Sequence, residues 1–121
     1  MADEEIENLA QTLNSLQWGW IKAMGMRFVS ASADEVVLEW DVDQRHHQIY
    51  GIVHGGVYCG AIETATSVGA VLHARAEGKG VVGLENHTSF IRSVRSGLVH
   101  CTATPITRGR RTQLWEAAVR D

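Results

Sequence analysis

Proline is nearly absent from this 121-residue sequence, with Pro105 its single instance, and cysteine is represented only by Cys59 and Cys101. One cysteine falls in a helical segment and the other in a strand-like one, with no CxxC pair and no Cys/His ladder. Neither a disulfide framework nor a metal site is therefore indicated. Positive charge is also short: 11 Lys and Arg stand against 14 Asp and Glu, a net charge of −3. That argues against broad nucleic-acid binding, which depends on neutralising many phosphates, although local basic clusters can still hold a phosphorylated small molecule. No apolar run approaches the ~20 residues that span a bilayer. Residues 1–14 are acidic and amphipathic, unlike a secretory leader. Repeats and low-complexity stretches are missing too. These absences lead us to expect no membrane association and a reducing, cytoplasmic location. What is present is a single domain over residues 1–121, with 45% hydrophobic residues to build a core.

The chain opens with a helical segment, residues 1–19, in which Ile6, Leu9, Leu13 and Leu16 recur at helical spacing and Trp18, Gly19 and Trp20 end the run. The tryptophans read as core or lid packing. From Gly25 the period changes to two. GMRFVSA and EVVLEWDV flank a tight connection at Ser32, Ala33 and Asp34, and Val36, Leu38, Trp40 and Val42 form the core face of a β-hairpin. A polar loop, residues 43–53, leads into a long helix that starts near His54 and ends at the Glu77-Gly78-Lys79-Gly80 breakers. Three strand-like segments follow: 81–94, then 98–107 with Pro105 near its end, then 112–120 beyond a turn at Gly109, Arg110 and Arg111. The expected class is α+β, an antiparallel sheet of about five strands wrapped around one central helix.

Two faces of that helix carry the information. Val57, Ala61, Ala65, Val68 and Leu72 form an apolar stripe. Nearly opposite lie Gly56, Cys59, Gly60, Ser67, Ala70 and Ala74, with Glu63 as the lone charge among them. A solvated face would carry several Lys, Glu or Gln residues, so close packing is expected on this side too. His54-Gly55-Gly56 opens the helix, where the first N–H groups have no intrahelical partner and glycine admits a close approach.

The spacing of Gln48, His54-Gly55-Gly56, Glu63 and Ser67 resembles the hotdog-fold acyl-CoA thioesterases, in particular the PaaI-like and Arthrobacter-type 4-hydroxybenzoyl-CoA thioesterase group. That family places an Asn or Gln six residues before the His, an Asp or Glu nine after it, and a Thr or Ser four further on, as here. GLENHTSFIRSVRSG and TRGRRT resemble its later strand-turn and Gly-Arg turn. The resemblance implies the hotdog fold and thioester hydrolysis, with no cofactor beyond the coenzyme A of the substrate. It implies that Gly55 and Gln48 polarise the thioester carbonyl. Gly56 or Val57 is an additional candidate donor beside Gly55. Glu63 is the candidate nucleophile or general base. Ser67 either holds the attacking water or the carboxylate, or is simply small enough for close packing. His54 reads more readily as orienting the loop than as transferring protons.

Nine residues of helix put Glu63 about half a turn round from His54 and ~13 Å along the axis. One helix does not easily bring Gly55 and Glu63 to one carbonyl, whereas two helices side by side in a twofold dimer do. A homodimer with its site across the interface is therefore expected, paired into a homotetramer. Arg108, Arg110 and Arg111 read as contacts for the coenzyme A phosphates, or else as a solvated turn. Asn86, Thr88 and Ser89 are candidate liners of the acyl pocket. His46, His47, His73, His87 and His100 read as surface or strand residues, with no metal-ligand spacing. Family members usually continue beyond the strand at 112–120 with another, so either that edge lacks a neighbour here or a further C-terminal strand lies outside this sequence. The alternatives weighed are a non-catalytic acyl-CoA-binding or regulatory hotdog module, a hydratase on the same fold, and a structural oligomerisation domain.

Overall fold

The structure, a computed structural model, describes residues 3–16 and 19–121, with every side chain among them except those of Ile6 and Glu7. The expected packing roles of Ile6 and Trp18 therefore lie outside what is described. Helix α1 (Asp3–Ser15) begins with Asp3, Glu4 and Glu5, which complement the positive end of its dipole. It is tied to the sheet by the Asn14 side chain. Asn14 Nδ2 donates to the Phe28 carbonyl at 2.9 Å and Asn14 Oδ1 accepts from the Phe28 N–H at 2.7 Å. A short helix, α2 (Gly19–Ala23), follows.

Strands β1 (Arg27–Ala31) and β2 (Val36–Val42) make the expected hairpin. Its turn is closed by the Ser32 hydroxyl, which accepts from the N–H groups of Asp34 and Glu35. Val36, Leu38 and Trp40 are fully buried, as the period-two pattern requires. Strands β3 (Gly97–Arg108) and β4 (Gln113–Arg120) complete a four-stranded antiparallel sheet in the order β1-β2-β3-β4. Pro105 pairs with Trp115 beside a break in the β3–β4 register and lies past the end of the β2–β3 pairing at Ala103, a place that tolerates proline. Val99, Cys101 and Ala103 complete the inner face. Burial pushes the Cys101 thiol up to about 12, which leaves it inert as a nucleophile.

The expected strand at 81–94 is not formed. This segment passes along α3 with no ladder partner among the described residues, whose sheet has four strands rather than about five. Its ties are side-chain and terminal ones: Asn86 Nδ2 donates to the Cys59 carbonyl at 3.0 Å, and the Val94 carbonyl accepts from the Val53 N–H at 2.9 Å. The alternating composition suits a strand, but an open cleft separates the segment from the free edge of β4. Val82, Leu84 and Ile91 are left largely exposed.

Helix α3 (Gly55–Ala74) is the central rod. The expected stripe holds for Val57, Ala61 and Ala65, then passes to Gly69 instead of Val68 and Leu72, which are only half-buried. Aromatic rings explain both this shift and the small-residue face. A Cβ on Gly69 would lie 2.3 Å from the Trp115 ring, and one on Gly60 would lie 2.4 Å from Trp20. Trp115 cannot easily yield. Its Nε1 donates to Gln113 Oε1 at 2.8 Å, and the Arg108 guanidinium lies 5.4 Å from its ring centre. Gly69→Ala is therefore expected to be destabilising overall. Overpacking costs about 1–3 kcal/mol, against about 1 kcal/mol gained in helix propensity. Gly60→Ala should cost less, because Trp20 is 40% exposed and can swing aside. Urea-unfolding midpoints of the two variants check the ranking.

Candidate active site

The chain from Gln44 to Gly55 is a set of nested hydrogen bonds that ends at the start of α3. His54 is the N-cap: its Nδ1 accepts from the Gly56 N–H at 2.8 Å, and its carbonyl accepts from the Val57 N–H at 2.9 Å. The two amides that could have shared the polarising role with Gly55 are thus occupied. The Gly55 N–H has no acceptor among the described residues and stands at the positive end of a 20-residue helix. The Phe90 ring packs on Gly55 so closely that a Cβ there would lie 2.8 Å from it. Gln48 is oriented by its own loop. Its Oε1 accepts from the Tyr50 N–H, which leaves the NH₂ group as its free donor.

Glu63 and Ser67, one turn apart on α3, are joined by a 2.6 Å hydrogen bond from Ser67 Oγ to Glu63 Oε2. The other carboxylate oxygen faces Gly83, where a Cβ would stand 3.3 Å from Oε1. Contrary to the close-packed setting expected from the helix face, Glu63 is exposed on the single chain, at the floor of the cleft beside the 79–92 segment.

The candidate residues fall into two groups. Gln48, His54, Gly55 and Gly56 line a smaller cleft at the N-terminus of α3. Glu63, Ser67, Asn86, Thr88, Ser89, Arg108, Arg110 and Arg111 line the broad cleft between α3, the 81–94 segment and β4. Tyr58 and Phe90 line both. The Tyr58 hydroxyl is buried without a partner among the described residues, and burial, helped by the nearby Asp121 carboxylate, holds its phenol above the ordinary value. Asn86 and Thr88 are occupied with each other and with the helix: Thr88 Oγ1 donates to Asn86 Oδ1 at 2.6 Å, and Asn86 to the Cys59 carbonyl. Ser89 is exposed on the same segment.

The arginine cluster divides as well. Arg108 donates to Asp34 Oδ1 at 3.2 Å and to the Ala33 carbonyl, and it stacks on Trp115. It locks the β1–β2 turn to the far end of β3 and is not displayed with its neighbours. Arg110 and Arg111 stay exposed on the β3–β4 turn, with Lys79 Nζ donating to the Arg110 carbonyl at 3.2 Å. A polar residue that sequence reasoning placed at the surface is fully buried: His46, 0% exposed. The signal was present in the Asp43…His46 spacing, which forms a capping box around the turn Gln44–His46. Among the described residues no cluster of His, Cys, Asp and Glu could hold a metal ion, and no helix is long and apolar enough to cross a membrane.

One antiparallel sheet laid against a single long helix is the hotdog architecture. Residues 50–121 match the thioesterase superfamily; the chain belongs to it and is a thioester hydrolase. It is similar to the 1,4-dihydroxy-2-naphthoyl-CoA hydrolase of Listeria monocytogenes, at 34% identity over 103 residues, 85% of this chain and 83% of that protein. The crystal structure of thioesterase HI1161 from Haemophilus influenzae superposes with a TM-score of 0.85 at 36% identity, covering 92% of this chain and 78% of that one. The structure of Rv1847 from Mycobacterium tuberculosis gives a TM-score of 0.81 at 42% identity, over 84% and 82% of the two chains.

Proposed function

We propose that the protein hydrolyses acyl-CoA thioesters, aromatic or medium-chain, at sites built between the two α3 helices of a homodimer. The observation that carries this reading is the partition of the site. The unpaired Gly55 N–H and the Gln48 amide lie in one cleft, and the Ser67-held Glu63 lies in another. Eight residues of helix, ~12 Å, separate Gly55 from Glu63. Two antiparallel copies of α3 would set the amide end of one beside the carboxylate of the other.

In such a site the thioester oxygen accepts from the Gly55 N–H and the Gln48 NH₂ of one chain, which stabilise the negative charge that develops on it. The Ser67 hydroxyl occupies Glu63 Oε2 and fixes the carboxylate, leaving Oε1 as the reacting atom; Gly83 keeps the space beside it open. As general base, Glu63 takes a proton from water while the water oxygen bonds to the acyl carbon. Collapse of the adduct breaks the C–S bond, and the thiolate recovers the proton, giving free acid and coenzyme A. As nucleophile, Glu63 would bond to the acyl carbon and expel the coenzyme A thiolate, forming an acyl anhydride; water then cleaves the anhydride to free acid and the restored carboxylate, and the thiolate takes up the proton released. A soluble cytoplasmic enzyme and further pairing into a tetramer complete the reading.

The test is a panel of aromatic and aliphatic acyl-CoA thioesters with thiol release as the readout. Turnover of at least one class at kcat/KM above about 10⁴ M⁻¹s⁻¹ is expected. Tight acyl-CoA binding without turnover would mark a binding module instead. For the nucleotide end, Arg110 and Arg111 are the exposed candidates. Replacing both with Ala is expected to raise KM for acyl-CoA about tenfold with kcat within about twofold, the pattern of lost uniform binding. Arg108→Ala should act mainly on stability, since its partners are within the fold.

A further inference from the structure

We propose that His46 is a positioning residue for the polarising half of the site; this rests on the reading of Gly55 and Gln48 given above. His46 is fully buried, yet every polar atom of its ring is used. Nδ1 accepts from the Asp43 N–H at 3.0 Å, which places the ring proton on Nε2, and Nε2 donates to the Met24 carbonyl at 2.8 Å. The ring thus spans two segments that are not neighbours in sequence: the stretch leading into β1, and the turn that follows β2. Its own backbone passes that constraint on. The His46 carbonyl accepts from the His54 N–H at 2.8 Å, so the residue immediately before Gly55 hangs from His46.

The loop from Gln48 to Val53 is closed at its base by the same pair of histidines. His47 bridges to Val53, and its Nε2 lies 2.8 Å from the Arg95 carbonyl. Gln48, the second candidate donor, is therefore the first residue of a loop whose two ends are both fixed at His46 and His47. A nonpolar ring at position 46 would fill the space but would release Asp43 and Met24, and with them the register of the His54–Gly55 start of α3. Displacement of an oxyanion donor by a fraction of an ångström is felt in kcat more than in substrate binding.

The test uses the full chain with His46→Phe, His46→Gln and His46→Asn. The Gln amide can reach the Met24 carbonyl from the Nε2 position, and the Asn oxygen can accept from Asp43 at the Nδ1 position. His46→Phe is expected to lower kcat 10- to 100-fold with KM within about threefold, and to speed hydrogen exchange at the amides of His54, Gly56 and Val57 at least tenfold, while Leu38 and Cys101 keep their protection. Gln or Asn should recover a large part of both. Unchanged exchange at 54–57 with kcat within twofold overturns the proposal. So does loss of protection throughout β2 and β3 in all three variants, with kcat falling only as the folded fraction falls. Absence of any acyl-CoA turnover in the unaltered protein would defeat the functional reading instead, and the exchange comparison at 54–57 would still decide the role of His46.

Discussion

Glu63→Gln is expected to reduce kcat for acyl-CoA hydrolysis by about 10³-fold, within the range lost when a positioned general base is removed, with KM changed by no more than a few-fold. The substitution is close to isosteric. The amide oxygen can still accept from Ser67 Oγ, whose bond to the carboxylate is 2.6 Å long, so the side chain should stay in place while losing its basicity. Because Gln keeps the size of Glu63 and an acceptor for Ser67, no stability change beyond about 1 kcal/mol is expected. Matched thermal midpoints would show that chemistry and not folding had been lost. Retention of more than a tenth of wild-type kcat would remove Glu63 from the reaction and place the base or nucleophile on another group. Ser67→Ala should give a smaller loss, since it frees the carboxylate to rotate but leaves the charge.

Activity regained by mixing two inactive variants is the second large expectation. Glu63→Gln keeps an intact Gln48 and Gly55; Gln48→Ala keeps an intact Glu63. If each site takes its donors from one chain and its acid from the other, a mixed dimer contains one complete site and one doubly defective one. Random re-pairing after partial denaturation and refolding then places half the chains in mixed dimers. About one quarter of wild-type turnover should return, from parents that each retain about 1% or less, as loss of a polarising donor or base implies. If both halves of the site came from the same chain, mixing would recover nothing beyond the average of the parents. Sedimentation of the unaltered protein provides the companion measurement, since a fully active monomer is incompatible with the two-chain site.

The hairpin, the central helix and the last two strands were legible from residue pattern because the forces that set them are local. Val36, Leu38 and Trp40 alternate into the core, and the His-Gly-Gly start of α3 is marked by its own cap. The 81–94 segment was misread because alternation signals that a stretch suits a sheet, while pairing depends on what lies beside it; here the neighbour is α3, and β4 is across a cleft. Arg108 was grouped with Arg110 and Arg111 by proximity in sequence. It still belongs to β3, however, and its direction is set by Asp34 and Trp115. His46 shows the same limit. Polarity in a polar loop suggests solvent; the Asp43 spacing hints at a cap, but only the fold reveals Met24 on the other side of the ring. The spacing of Gln48, Gly55, Glu63 and Ser67 was visible, and so was their separation along the helix, because a helix is a ruler.

The rings that dock in the glycine notches of α3 also make the rod optically visible. Trp20 lies on Gly60 and Trp115 on Gly69, while Trp40 is fully buried in the core shared by the sheet and the rod, 6.3 Å from the Tyr58 ring. Loosening at either notch would move that indole towards water, whereas Trp40 would be exposed only when the core between rod and sheet opens. Intrinsic emission, with Trp20 and Trp115 replaced by Phe in turn, therefore offers a label-free record of which notch loosens first and when the rod leaves the sheet.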